Sequence, residues 1–350
     1  MQLTSAQFQT AATEVGLTDD QTHRLWEKLN ADPGRADAPR FDTAHVAYYL
    51  GAMIVIGAMG WLMGNAWEVF EGGGLTLIAC GYAVIFCIGG RNFWRNRGLR
   101  TPGGLLFTMA VCMTPLALYG LSRWTGFWPA GDPGGYHGFH PRIHASWVFM
   151  EIGTVLAGLV ALRKYRFAFI TAPIAFALWF LSMDLSEWIL GQSYRSWEER
   201  SFVTMLFGMA ILAVAYFTDL RNRGEDFAYW LYLFGLLAFW GGLSSMDSGS
   251  ELGKAIYCAI NLFLIVVSLV LRRRVFVIFG ALGFFGYLGH LAHRVFADSV
   301  VFPFALTALG LAVIGAGIVY NRHRQTLELI IGNKLTRLCG NFLPAGARSA

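Results

Sequence analysis

Ten apolar stretches of about 17 to 25 residues alternate with short polar connections along the chain. Hydrophobic residues run continuously through each stretch instead of alternating, which favours helices over strands. A helix of about 20 residues spans the roughly 30 Å hydrocarbon core of a bilayer. The pattern therefore predicts an all-α fold, a polytopic transmembrane bundle of about ten spans. The predicted spans are 45–66, 73–90, 102–122, 144–162, 167–189, 201–218, 227–246, 252–271, 275–293 and 301–320.

Polar segments flank this predicted ten-span domain, which covers residues 44–321. Residues 1–43 predict a cytosolic pair of short helices, the second preceded by a capping box at Thr18. The pair is too small to bury a core alone, so we expect it to contact the membrane domain or a cytosolic partner. Residues 322–350 predict an amphipathic helix on the membrane surface and a disordered tail.

Basic residues orient the predicted spans. All but six of the 27 Lys and Arg residues lie in alternate connections or in the flanking segments. Because cytoplasmic loops of membrane proteins are enriched in Lys and Arg, both termini are predicted to be cytoplasmic. The composition agrees, since 14% charged residues is well below the quarter typical of soluble domains. We attribute the net charge of +5 to contact with the lipid bilayer and expect no nucleic-acid binding.

A similarity between two parts of the chain suggests a parallel repeat of four spans, which would relate 102–218 to 227–320. The basic connections at 162–167 and 271–276 align in it. Because hydrophobic helices also resemble each other by composition alone, duplication and chance similarity are both open interpretations.

Several predicted spans contain ionisable side chains, which cost about 2.5–3.5 kcal/mol each on insertion scales and by default mark a cavity or a pathway. Glu151 lies twelve residues from the basic connection at Arg163, a distance of about 18 Å along a helix, which predicts a position close to the midplane. Asp184 and Glu187 share one face of the fifth predicted span. The helical rise counted from the basic connection before this span places Asp184 and Glu187 near the outer boundary of the membrane.

Two later spans add polar residues on the same predicted outer half. His290 and His293 share a face of the ninth span, and Glu251, Lys254 and Asn261 share a face of the eighth. Together these side chains predict an outward-facing site for a small solute or an ion, although each could instead form an ordinary hydrogen bond or ion pair. The predicted binding residues are Glu151, Asp184, Glu187, Glu251, Lys254, Asn261, His290 and His293.

Histidines also raise the alternative of a metal site. Imidazole and carboxylate groups are ligands of zinc and copper(II), but the spacing in this chain matches no specific zinc signature. We therefore predict no cofactor and no catalytic residue, with a bound metal as the alternative. The residues that could hold it are His137, His140, His144, Asp184, His290 and His293.

Four apolar motifs resemble a family. The motifs are AYYLGA at 47–52, GAMGW at 57–61, FWGGL at 239–243 and GYLGHL at 286–291. They are similar to those of an uncharacterised bacterial family of predicted multi-pass membrane proteins with a domain of unknown function. The resemblance implies a bacterial inner-membrane protein and carries no established activity.

Three functions remain open from the sequence. The main hypothesis is a solute or ion transporter, or a membrane binding protein, because carboxylates within spans and internal repeats are common in carriers. One alternative is a metal-dependent intramembrane hydrolase acting on a lipid-like substrate. The other is a non-catalytic membrane scaffold. No nucleotide-binding loop or nucleophile motif occurs, so enzymatic activity is uncertain and not favoured.

Overall fold

A computed structural model describes residues 5–30, 43–69, 72–127, 147–190, 197–221, 225–246, 248–291 and single positions between 303 and 322. Within these ranges the backbone is helical or forms turns and short connections, without any strand. The helices are α1 Ser5–Glu14, α2 Asp19–Asn30, α3 Thr43–Val69, α4 Gly72–Arg91, α5 Arg100–Cys112, α6 Thr114–Thr125, α7 Val148–Lys164, α8 Thr171–Leu190, α9 Trp197–Arg221, α10 Tyr229–Ser245, α11 Glu251–Leu271 and α12 Arg274–His290.

Nine of the ten predicted spans coincide with these helices, and the tenth, 301–320, lies largely outside the described residues. Five helical segments of the described chain are long and apolar enough to cross a membrane. They are Gly72–Asn96, Arg100–Thr125, Ala168–Leu185, Trp197–Arg221 and Glu251–Leu271. The helical prediction is thus confirmed for the described residues, and the number of spans stays a prediction.

The third predicted span is interrupted. Residues 102–122 were expected to form one helix, whereas α5 ends at Cys112 and α6 begins at Thr114. Pro115 explains the break, because proline has no backbone N–H to donate and its ring clashes with the carbonyl four residues earlier.

The chain divides into two compact units, residues 1–50 and 51–350. In the first unit the predicted capping box is present: the Thr18 N–H donates to Gln21 Oε1 (3.1 Å) and the Gln21 N–H donates to Thr18 Oγ1 (3.4 Å). Phe8 and Trp26 pack α1 against α2 with ring centroids 5.1 Å apart. The predicted amphipathic segment, 322–350, lies outside the described residues apart from Arg322.

In the second unit, neighbouring helices pack as antiparallel hairpins, α7 with α8, α9 with α10, and α11 with α12. Glycines bring α9 and α10 close together, because a Cβ at Gly208 would lie 2.3 Å from the Phe239 amide nitrogen and one at Gly242 would lie 2.5 Å from the Ser201 carbonyl oxygen. Helix α8 packs against both α9 and α10 and so connects the first hairpin to the second.

The outward faces of these helices are strongly apolar. Leu77 is 76% exposed on α4, Phe217 is 58% exposed on α9, and Phe263 is 64% exposed on α11. Exposed apolar surface of this extent is unfavourable in water and suits contact with lipid.

Three basic connections lie at the same end of the second unit. The backbone amide of Ala168, between α7 and α8, donates to Glu225 Oε2 (2.7 Å) in the connection between α9 and α10. Arg273, between α11 and α12, binds Asp219 and Asp226 beside that same connection. The position of these three connections at one end agrees with the prediction that basic connections alternate along the chain.

Candidate functional site

Two carboxyl groups meet in the interior between α7 and α8. Glu151 and Asp184 are only 8% and 4% exposed, and their carboxyl groups lie close enough to interact directly. Glu151 lies in the first turn of α7, where its backbone position is near a helix N-terminus. Sequence reasoning proposed both residues for one site, and the structure brings them into contact.

The geometry of the hairpin explains why these two residues meet. Glu151 lies thirteen residues before the end of α7 at Lys164, and Asp184 lies thirteen residues after the start of α8 at Thr171. In an antiparallel hairpin these equal offsets give equal heights, about 20 Å from the turn. The sequence-based count placed Asp184 higher than Glu151, because it assigned helical rise to residues that instead form the turn, which includes an extended Tyr165.

Two carboxylates that lie side by side repel each other when both are ionised. One oxygen of Glu151, Oε2, is buried and has no hydrogen-bond partner among the described residues. Within the same part of the chain, no lysine, arginine or histidine offsets the charge of Glu151. Glu151 therefore meets a like charge and no described cation, which makes it a candidate proton-binding group.

A cavity of about 390 Å³ lies between α10, α11 and α12, at the end opposite the basic connections. Its polar lining includes Lys254 and His290, and also Ser244 and Tyr257, whose hydroxyls are 2.9 Å apart. Glu251 lies beside it, with Oε1 2.9 Å from Lys254 Nζ and both carboxylate oxygens 3.3 Å from His290 Nε2. These contacts unite three of the predicted site residues at one cavity.

Asn261 lies deeper between the same helices and is fully buried. Its Oδ1 accepts from Trp240 Nε1 (3.1 Å), and its Nδ2 donates to the Tyr257 carbonyl (2.8 Å). A Cβ at Gly283 would lie 1.9 Å from Asn261 Oδ1, so this glycine of α12 provides the space that the amide occupies. These are the contacts of a packing residue.

The predicted site residues thus fall into two groups, one between α7 and α8 and one between α10, α11 and α12. The predicted metal ligands Asp184 and His290 have different partners, Glu151 and Glu251 respectively. No group of three or more His, Cys, Asp or Glu side chains within the described residues is placed to hold a metal ion. The remaining predicted residues lie outside what the structure describes, either entirely or in their side chains: His137, His140, His144, Glu187 and His293.

Tyr257 was missed by sequence reasoning, although its spacing of three residues from Lys254 on α11 places both on the same helix face. Tyr287 of the cavity was also missed, and it lies three residues before His290. The helical spacing that identified the charged residues could have found both tyrosines.

Arg273 forms the centre of a charged cluster at the opposite end. Its Nη2 and Nε donate to the two oxygens of Asp219 (2.6 and 3.2 Å), and its Nη1 donates to Asp226. The Tyr232 hydroxyl donates to Asp219 Oδ2 (3.4 Å), and the guanidinium also lies over the Tyr232 ring. Burial lowers the pKa of Arg273, but the hydrogen bonds that it donates to the two aspartates outweigh this effect and raise the pKa above its ordinary value.

Asp226 has a second role, because its Oδ1 accepts from the Tyr229 amide (3.2 Å) at the start of α10. The cluster of Arg273, Asp219, Asp226 and Tyr232, called the arginine clamp below, therefore ties together α9, α10 and α12. Sequence reasoning used Arg273 only as a marker of a basic connection.

Comparisons with models of protein families, with curated proteins and with solved structures give no match for this chain. The resemblance carried by the four apolar motifs stays a prediction.

Proposed function

We propose that this chain is a multi-pass protein of the bacterial inner membrane that transports a small solute or an ion, with Glu151 and Asp184 as its proton-carrying pair. The buried contact between these two carboxyl groups, without a cation at Glu151 in the described residues, carries the proposal. Ionisable side chains such as Glu151 are costly inside a bilayer and are typical of proton pathways. In this proposal the chain spans the membrane ten times with both termini in the cytoplasm.

The cavity beside Lys254 and His290 is the proposed solute site. Its volume of about 390 Å³ lies within the range of ligand pockets, roughly 300–1,000 Å³. Lys254 and His290 supply charged or polar donors, and the hydroxyls of Ser244 and Tyr257 supply further hydrogen bonds. This lining favours a small solute that carries a carboxylate and hydroxyl or amino groups.

The two parts of the proposed mechanism are joined by helix packing. Helix α8 carries Asp184 and packs against α10, which contributes Ser244 to the cavity. A change of proton occupancy at the pair would alter the charge on α8, and the α8–α10 contact would transmit that change to the cavity. Each site would thereby bias the other.

The test is solute-driven proton entry into proteoliposomes, followed with a trapped pH-sensitive dye while lactate, succinate, glutamate and serine are added in turn. Wild-type protein should acidify the lumen with at least one of them. Glu151→Gln should abolish this proton entry, because the amide cannot bind and release the proton. The matched control, Glu198→Gln, removes an exposed acid at the start of α9 and should leave the signal unchanged.

If Glu151→Gln transports protons with the same pH dependence as wild type, the assignment of the proton to this pair is wrong. If no solute of the set acidifies the lumen in wild type, proton-coupled uptake of this solute class is wrong.

A further inference from the structure

A second cavity, of about 660 Å³, opens between four helices at the end of the basic connections. Helices α7, α8, α9 and α10 all contribute to its walls, and α8 contacts each of the other three. It lies away from the cavity beside Lys254 and shares no lining residue with it. We call it the basic-end groove.

The walls of the basic-end groove are apolar along most of its length. Leu156, Leu159, Val160 and Val214 are each about half exposed or more (57, 48, 66 and 52%), so their side chains are open to whatever fills the groove. Along α7 the lining extends from Val155 to the basic turn, a distance of about 12 Å at helical rise. This shape and chemistry suit part of an acyl chain.

Two arginines close one end of this groove. Arg163 is in the last turn of α7, Arg166 is in the connection to α8, and both line the cavity and are exposed. Within the described residues neither forms an ion pair, in contrast to Arg273 of the arginine clamp. Their guanidinium groups can donate several hydrogen bonds in a fixed planar geometry that matches a phosphate.

We propose that the basic-end groove binds one molecule of an anionic phospholipid. The phosphate would be held by Arg163 and Arg166, and one acyl chain would lie along the apolar wall formed by α7 and α9. The arginines at one end of the groove complement the charge of a lipid phosphate, and the elongated apolar lining complements an acyl chain. The inference rests on the proposed membrane location of the chain, but it does not depend on transport.

A peptide or a free anion fits this groove less well. The apolar lining offers few hydrogen-bond partners for a peptide backbone, since Thr171 and Thr218 are the uncharged polar side chains among its described residues. Inorganic phosphate could bind the arginines but would gain nothing from the apolar wall. A phospholipid can occupy both parts at once, because its phosphate meets the arginines while its acyl chain packs against the apolar wall.

The test measures binding to the full-length protein in detergent by native mass spectrometry, with dioctanoyl phosphatidylglycerol, dioctanoyl phosphatidylcholine and inorganic phosphate as probes. We expect one phosphatidylglycerol to bind at least about tenfold more tightly than phosphatidylcholine, since two basic side chains favour the anionic headgroup. Binding of phosphate alone should not be detectable at the same concentrations. Equal binding of the two lipids, or phosphate binding as tight as that of the anionic lipid, would overturn the proposal.

Two double variants distinguish the effect of the two lining arginines from a general effect of positive charge at this end. Arg163→Gln with Arg166→Gln should weaken phosphatidylglycerol binding by about tenfold or more. The control, Lys164→Gln with Arg274→Gln, removes the same charge from exposed positions at the same end that do not line the groove, and it should leave binding within about twofold.

Val214→Trp keeps both arginines and fills the apolar wall, so it should also lower affinity for the lipid. If both double variants weaken binding equally, the attraction is a general effect of the basic end and the groove assignment is wrong. Because binding is measured in detergent without any flux, its failure is distinguishable from a failure of the transport proposal.

Discussion

Two buried carboxylates in the same unit, Asp219 and Glu151, differ in the groups that surround them. At the arginine clamp, Asp219 is bound by Arg273 at both oxygens and also accepts from Tyr232. Between α7 and α8, the charged neighbour of Glu151 among the described residues is another carboxyl group, and its Oε2 has no hydrogen-bond partner among them. Similar side chains at similar burial therefore have different electrostatic environments, which agrees with a structural role for Asp219 and with the proposed proton-binding role of Glu151.

The physical reason lies in the cost of burying charge. A buried carboxylate is tolerated when a cation and hydrogen bonds replace its water, and otherwise it takes up a proton. The arginine clamp follows the first course, and in the proposed function Glu151 follows the second. The comparison predicts that mutations should affect stability at the clamp and proton transfer at the pair.

The largest effect should come from Arg273→Ala. The change leaves Asp219 buried without its cation and releases Asp226, so we expect a loss of about 3 kcal/mol or more in the free energy of unfolding. It should appear as a lower Tm in detergent. The neighbouring Arg274→Ala is the control, because that exposed residue lies outside the arginine clamp. Equal losses of Tm in both variants would show that the clamp is not the source of stability.

An acid-to-amide change at each cluster compares them directly. Asp219→Asn should lower stability by about 2 kcal/mol, since it removes charge from hydrogen bonds to Arg273. Glu151→Gln should change stability by less than about 1 kcal/mol, because an amide can either donate to or accept from Asp184. Tm values of the two variants, measured in the same detergent, decide the matter.

The reverse order, with Glu151→Gln more destabilising than Asp219→Asn, would contradict this comparison. It would mean that the carboxyl pair is a structural contact.

Asn261 is a buried polar residue without charge, and hydrogen bonds alone satisfy its amide group. Gly283→Ala should force Asn261 away from Trp240 and cost about 1–2 kcal/mol by overpacking, net of the gain in helix propensity. Gly286→Ala on the same helix is the matched control, since nothing lies within 4 Å of its added Cβ. Gly286→Ala should leave Tm unchanged or raise it. A loss of Tm similar to that of Gly283→Ala would show that crowding against Asn261 is not the cause of the destabilisation.

Much of the helical framework follows from the sequence, because periodic apolar runs and helix caps are local signals. The capping box at Thr18 and the helices within nine of the ten predicted spans have such local causes. Pro115 is a further local signal, since a proline inside an apolar run breaks a helix. The interruption of the third predicted span therefore also has a cause that is visible in the sequence.

Contacts between distant residues could not be predicted in the same way. Asp219 and Arg273 are 54 positions apart, and their pairing depends on how three helices pack. The meeting of Glu151 with Asp184 depended on how many residues form the turn, which the apolar pattern does not define. The candidate residues were thus identified from their chemistry, while their division into two groups needed the structure.

The arginine clamp also has a consequence for the order of biosynthesis. Arg273 leaves the ribosome 54 residues after Asp219. Both α10 and α11 are therefore synthesised before this cation becomes available to Asp219. During that interval Asp219 lacks the cation that it binds in the folded protein. The contact of Arg273 with Asp219 and Asp226 can therefore form only after the hairpin of α9 and α10 has been made and α11 has been added.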